Sequence, residues 1–217
     1  MTSDAPAPLP AEVLQRERIA AHVVRVLEEG SSRDPVVSLV SDGDHTFVVK
    51  DFALRGPLVR WLLGPFLVWR ELRAYRALEG HPDVPRLLGR IDGLAFAMEY
   101  RPGRKMSRRL SGVLPADFLP RLEVAIRGMH ARGVAHLDLR HRSNVLADAA
   151  GRPVLIDFAS ALCFRPGSLG ARWLLPVFAR FDLRALEKWR ARVGGYGAGA
   201  GGSGGASEGA RGESRPT

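Results

Sequence analysis

The stretch HLDLRHRSNVL, residues 136–146, carries an Asp, an Asn, two His and two Arg, and then runs straight into apolar residues. A loop this polar beside a core strand is either a solvated turn or a site, and its neighbours decide which. Downstream, NVLAD (144–148), an AAGR turn and PVLIDF (153–158) read as a hairpin. Asp157 ends its second strand, where a carboxylate is costly unless it is paired or bound to a cation. Asn144 opens the first strand, so its side chain can reach the same edge. Two oxygen donors on adjacent strand ends suit Mg²⁺, which takes few protein ligands and leaves the rest to phosphates and water. Asp138, six residues before Asn144, faces the space in front of such an ion, where a base for a substrate hydroxyl belongs.

Upstream of this hairpin, PADFLPRLEVAIRGMHARG (115–133) reads as a helix. Leu119, Leu122, Ala125, Ile126 and Met129 form its inward stripe and Gly133 is its stop. Downstream, WLLPVFARFDLRALEKWRAR (173–192) reads as a last helix interrupted by Pro176. The first half of the chain reads as strands: 23–30, 35–41 and 45–52, with a DGD turn at 42–44, then 85–93 and 94–100. Between the third and fourth lies one helix, PFLVWRELRAYRALEG, with Pro65 in its first turn and Gly80 past its end. Five antiparallel strands with one helix, then a mostly helical half with a small hairpin, make an α+β plan of two lobes.

The ends of the chain differ from this middle. Residues 1–10 are rich in Pro and Ala and are expected to be flexible, and 194–217 hold ten of the 24 glycines with almost no apolar bulk and are expected to be disordered. Residues 11–100 then form the first lobe and 101–193 the second. The single cysteine, Cys163, excludes a disulfide framework and a cysteine-based zinc site. The start, MTSDAPAPLPAEV, has no basic region followed by an apolar run, so a cytoplasmic location is expected. A net charge of +9 favours an anionic partner such as a nucleotide, a phosphorylated substrate, nucleic acid or an acidic membrane face. The bland alternative is a genome that writes Arg freely, since only three of the 32 basic residues are Lys.

HLDLRHRSNVL followed by LIDFAS resembles the catalytic loop and metal-binding segment of the protein-kinase-like superfamily, H-x-D-L-x-x-x-x-N and D-F-G. The step of thirteen residues from Asn144 to Asp157 agrees with that family. The resemblance implies a reduced two-lobed kinase fold that uses ATP and Mg²⁺. It implies Lys50, in FVVKDF, as the lysine on the nucleotide phosphates, and Glu71, in WRELRAYRAL, as its partner. It implies Gly30, Ser31 and Ser32 in the phosphate loop, Glu99 and Tyr100 at the hinge under the adenine, and Asn144 and Asp157 as metal ligands. Asp138 becomes the catalytic base and Arg140 a group that stabilises charge on the moving phosphoryl. Asp182, in RFDLRAL, resembles the buried aspartate that props the catalytic loop.

Two departures from the family stand out. The step from Asp138 to Asn144 is one residue longer than usual, so either the loop bulges or Ser143 takes the metal position. Little chain follows DFAS, with no A-P-E motif and no room for the usual peptide platform, a trimming similar to RIO kinases and bacterial lipopolysaccharide kinases. The implied acceptor is a hydroxyl, on a protein Ser or Thr or on the sugar of an anionic glycolipid. A nucleotide-binding scaffold is the alternative, because Gly30 is the lone glycine of its loop. A nucleic-acid-binding module ranks last for want of a recognition motif or spaced stacking aromatics.

Several of these residues also have plain structural readings. His136 packs under the loop. Lys50 blunts a sheet edge. Glu71 pairs on the surface with Arg70, Arg73 or Arg76. GPLVRWLLGPFLVW (56–69) is too short and interrupted to span a membrane. Core packing explains Leu67, Leu72 and Leu78, whereas Trp61 and Trp69 beside Arg60 and Arg70 also suit peripheral contact with the inner face of a membrane. RPGRKMSRR (101–109) is either a solvated basic loop or an anion site for the acceptor.

Overall fold

β-Branched runs separated by Gly- and Asp-bearing turns build the first half of the chain. In the computed structural model, which describes residues 9–31 and 34–193, they form β1 (Val23–Glu28), β2 (Val36–Ser41), β3 (Thr46–Asp51), β4 (Leu87–Arg90) and β5 (Ala95–Glu99). These strands pair antiparallel in the order β1-β2-β3-β5-β4. Position in the sheet dictates composition. Central β3 and β5 bury Phe47, Val48, Val49 and Phe96, whereas edge strand β1 is mostly exposed and carries two register irregularities. A short helix absent from the sequence reading, α1 (Arg16–Ala21), is clamped to the sheet by Arg16, which bonds Asp51 at 2.6 Å and Asp92 at 2.5 Å.

The helix expected at Pro65 starts earlier. A π-helical turn, Val59–Leu63, leads into α2 (Gly64–Ala77). Gly64 permits this close entry, because a Cβ there would lie 2.9 Å from the Val59 carbonyl and 3.1 Å from Phe52. Val68, Glu71, Leu72 and Tyr75 make the buried stripe of α2, and Gly80 ends the turn beyond it at φ +72°. Leu72 and Leu78 are core residues as expected, while Leu67 is half-buried and Trp61 and Trp69 face solvent.

The second half has α3 (Phe118–Ala131), a short α4 (Leu169–Trp173) and a long α5 (Leu175–Val193). In α3 the buried stripe starts at Phe118, and Leu119 is only half-buried. Gly133 stops α3 at φ +80°, and no side chain fits there, since a Cβ would meet the Phe164 carbonyl at 2.3 Å. Pro176 does not interrupt a helix. It sits in the first turn of α5, where its missing N–H has no intrahelical partner to lose, and the break falls at Leu174 between α4 and α5. Five further short strands make two small sheets, β6 (Arg104–Lys105) with β8 (Val145–Ala147) and β9 (Pro153–Leu155), and β7 (Val134–Ala135) with β10 (Leu162–Cys163). The basic stretch 101–109 is therefore partly a strand, with Met106 fully buried beneath it.

An aromatic column joins the two halves. Tyr75 of α2 lies 5.9 Å from Phe96 of β5 and 5.2 Å from Phe158, and Phe158 lies 4.8 Å from the ring of His136. Such ring pairs add to the area they bury, so α2, the sheet and the 136–158 region hold one another in register. The fold is α+β, with a five-stranded antiparallel sheet and one helix followed by a short, mostly helical part.

Candidate active site

A cleft of about 530 Å³ opens between the sheet and the β8–β9 hairpin. Lys50, from β3, is buried and reaches across it. Its Nζ lies 2.6 Å from Glu71 Oε1 and 3.0 Å from Asp157 Oδ1. Burial works against the ammonium, but Glu71 and Asp157 outweigh it and hold Lys50 above its ordinary pKa. The Lys50 charge holds the Asp157 carboxyl below the usual range against the burial that opposes it. Burial pushes fully enclosed Glu71 upward, partly offset by Lys50. Lys50 is therefore no edge-strand charge and Glu71 no surface partner for the neighbouring arginines. Exposed Glu79 plays no part in this pairing.

The backbone around this trio is held in uncommon conformations. Asp157 has φ 65° and Leu137 φ 70°, the only non-glycine residues in the left-handed region among those described. Such residues persist only where their surroundings over-determine them. Asp182 of α5, fully buried, supplies that constraint for the loop. It accepts the amides of His136 and Leu137, each at 2.8 Å, and contacts His130 Nε2 at 2.9 Å. Trp189, on the same buried stripe of α5 about two turns further along, donates to the Leu139 carbonyl at 2.9 Å. His136 is structural: Nε2 sits 3.0 Å from the Ile156 carbonyl and Nδ1 accepts the Asp138 amide at 3.4 Å.

The long step from Asp138 to Asn144 is absorbed by two successive turns. His141 donates its amide to Asp138 O at 3.2 Å, and Asn144 donates its amide to His141 O at 3.1 Å. The Asn144 side chain is buried and donates to both Asp138 O and Asp138 Oδ2 at 3.0 Å. Ser143 donates to Asn144 Oδ1 at 3.0 Å, with His141 Nδ1 2.5 Å from the Ser143 hydroxyl. Asp138, Asn144, Asp157 and Lys50 thus line one cleft. Arg140 is exposed and is not among the residues that wall it.

The phosphate-loop and hinge residues are placed unevenly. Gly30 lines the cleft at φ +67°, and a Cβ there would collide with the Pro35 carbonyl at 2.5 Å. Ser31 turns its amide and hydroxyl onto Asp34, at 3.3 and 2.6 Å, and Ser32 lies outside the described residues. Arg55 braces this loop by donating to the carbonyls of Glu29 and Asp34. The sequence reading missed it, since nothing in its spacing marks a contact over 26 residues. Glu99 and Tyr100 line the cleft, yet the Glu99 amide donates to Arg86 O at 2.9 Å and its carboxylate takes the Arg86 amide and Arg101. The apolar walls, among them Val37, Val48, Leu146 and Ile156, were likewise not singled out as site residues. An ion pair between Lys105 of β6 and Glu28 of β1 closes one side.

As for metal, the described residues hold no cluster of three or more His, Cys, Asp or Glu. The hard oxygen donors Asp157 and Asn144 on one wall still fit Mg²⁺, for which phosphate and water complete the shell.

Comparison with known proteins agrees with this geometry. No family model matches the chain. It is 28% identical over 111 residues to Calcium-dependent protein kinase 24 of Oryza sativa subsp. japonica, covering 46% of this chain and 22% of that protein. It is 35% identical over 86 residues to Serine/threonine-protein kinase RIM15 of Saccharomyces cerevisiae, covering 36% of this chain and 5% of that protein. The chain thus spans less than a quarter of the curated relatives it matches. In structure it is similar to the Rio2 kinase from Chaetomium thermophilum, with a TM-score of 0.58 and 19% identity over 85% of this chain and 62% of that one. The fold is protein-kinase-like.

Proposed function

We propose that the chain is an ATP-dependent phosphotransferase that moves the γ-phosphate of ATP to a hydroxyl. The observation that carries this reading is the meeting of Lys50, Asp157, Asn144 and Asp138 in one cleft, from segments up to 107 residues apart. Phosphoryl transfer needs positioning and charge neutralisation more than covalent help, and these side chains supply both. Residues 11–100 act as the lobe that grips the nucleotide and 101–193 as the lobe that presents the acceptor.

In this reading Lys50, kept charged and extended by Glu71, neutralises phosphate oxygens. Asp157 and Asn144 hold Mg²⁺, which when bound would offset the charge of the triphosphate. Asp138 takes the proton of the attacking hydroxyl, and Asn144 Nδ2, already on its Oδ2, fixes its orientation. Gly30 lets the backbone approach the phosphates, and Val37, Val48, Leu146 and Ile156 make the apolar slot for the base. Glu99 and Tyr100 contribute to that slot through backbone and ring rather than through the carboxylate. Arg140 meets the transferred group only by swinging in from solvent.

Protein Ser or Thr is the acceptor that the names of the relatives favour. A second reading, the sugar hydroxyl of an anionic glycolipid, is favoured by the exposed Trp and Arg residues of α2. A cytoplasmic site, where ATP is found, goes with either. The test is transfer of labelled γ-phosphate from Mg·ATP to a cell extract separated into protein and lipid fractions. Label in one fraction names the acceptor class, and Asp138→Asn is expected to lower it by about 10² or more while leaving nucleotide binding intact. Equal turnover by Asp138→Asn, or none by the wild type although nucleotide binds, would replace this reading with that of a nucleotide-binding scaffold.

A further inference from the structure

Two stretches of this chain contain no acidic residue at all, 52–70 and 158–181, and each holds three arginines. They are far apart in sequence but adjoin in the fold. Arg70 donates to the carbonyls of Ser160 and Ala161, and Arg73 to that of Cys163. Phe164, next in the chain, stacks on Phe178 of α5 at 6.0 Å and lies against Gly170 of α4. The outer face of the 59–77 helix therefore runs through the 160–164 segment onto α4 and the start of α5.

This combined face is apolar in a way the core does not explain. Both α2 and α5 already have complete inward stripes. On the outside stand Leu58, Leu62 and Phe66 from the first stretch, and Leu169, Leu174 and Val177 from the second, all exposed. Three of the four tryptophans are there too, Trp61 at 78% exposure, Trp69 at 54% and Trp173 at 67%, whereas the fourth, Trp189, is buried. Exposed apolar side chains gathered on adjoining elements in this way mark an interaction site. Each exposed tryptophan has a guanidinium over its ring, Arg60 on Trp61 at 5.8 Å, Arg73 on Trp69 at 5.7 Å and Arg172 on Trp173 at 5.6 Å.

We infer that this face is a docking surface for an anionic lipid bilayer. Trp and Leu side chains enter the headgroup boundary while the paired arginines meet lipid phosphates. Charge selects this occupant. A second copy of the chain seated on the same face would set arginine against arginine with no acid from either stretch to offset them. The second stretch was not part of the membrane reading that the sequence offered, because 158–181 joins the first only through the fold. Among the described residues no helix is long and apolar enough to cross a membrane, so the contact is peripheral. The inference does not rest on phosphotransfer and can fail without it.

Cosedimentation of the full chain with vesicles tests it. The protein is expected to bind phosphatidylcholine vesicles containing about a third phosphatidylglycerol, and to release as salt rises. It should not bind phosphatidylcholine alone. Trp61→Ala combined with Trp173→Ala is expected to weaken binding by roughly tenfold or more, and Arg172→Ala by about fivefold. All three changes are on exposed side chains, so melting temperatures should stay put. In the unaltered protein, brominated lipid should quench tryptophan fluorescence. No binding to the anionic vesicles at low salt would overturn the inference. So would binding that the double variant keeps in full, or a dimer in sedimentation equilibrium that the double variant abolishes.

Discussion

Lys50 is a charged amine with almost no contact with water, and Glu71 beneath it has none. Such a pair offers little net stability over apolar groups of the same size, but half of it is strongly destabilising. Lys50→Met should therefore cost about 3 kcal/mol, because it strands the Glu71 carboxylate. Lys50→Met with Glu71→Leu should recover most of that loss. Urea midpoints with unchanged slopes would measure both, and a double variant no more stable than the single one would refute the pairing argument. The partnership was legible in the sequence, since a lysine in a β-branched run and an acid on the one helix of that half point to each other through the family resemblance. Arg55 was not legible, because its bonds to Glu29 and Asp34 exist only once the loop has closed on it. Asp182 was legible through resemblance alone, for its partners His136 and Leu137 lie 46 and 45 residues away.

Elements follow the same division between local and distant causes. The five strands and the helices at α2, α3 and α5 were readable because periodicity and glycine or proline punctuation are local. The two-residue strands β6, β7 and β10 were not, since two residues carry no period. The inward stripe of α3 slipped by one position, from Leu119 to Phe118, because the packing partners rather than the sequence decide which of two adjacent apolar residues turns inward. Pro176 was misread because proline signals a break or a start equally well, and only the end of α4 at Trp173 distinguishes them. Its position in the first turn of α5 makes Pro176→Ala nearly neutral, within about 0.5 kcal/mol in thermal unfolding. A loss or gain of several times that size would show that the proline does more than begin a helix.

Across the whole molecule, two of the contacts that join the sheet half to the helical half differ in kind, the Phe96–Tyr75–Phe158–His136 column and the Lys50–Asp157 contact. The first is apolar and fixed. The second is ionic and open to the cleft, so a bound anion would compete for Lys50 without disturbing the column. The acceptor was not legible in the sequence for a physical reason: recognition of it depends on surfaces assembled from remote segments, as the joining of 52–70 to 158–181 illustrates. The nucleotide end is testable directly. Melting temperatures should be recorded with and without Mg·ATP for the wild type, Lys50→Met and Asp157→Asn. At a hundredfold excess over Kd, binding adds about 2.7 kcal/mol, so the wild type should melt several degrees higher with Mg·ATP while neither variant shifts from its own baseline. A wild type that ignores Mg·ATP, or variants that shift as far as it does, would contradict the assignment of this cleft.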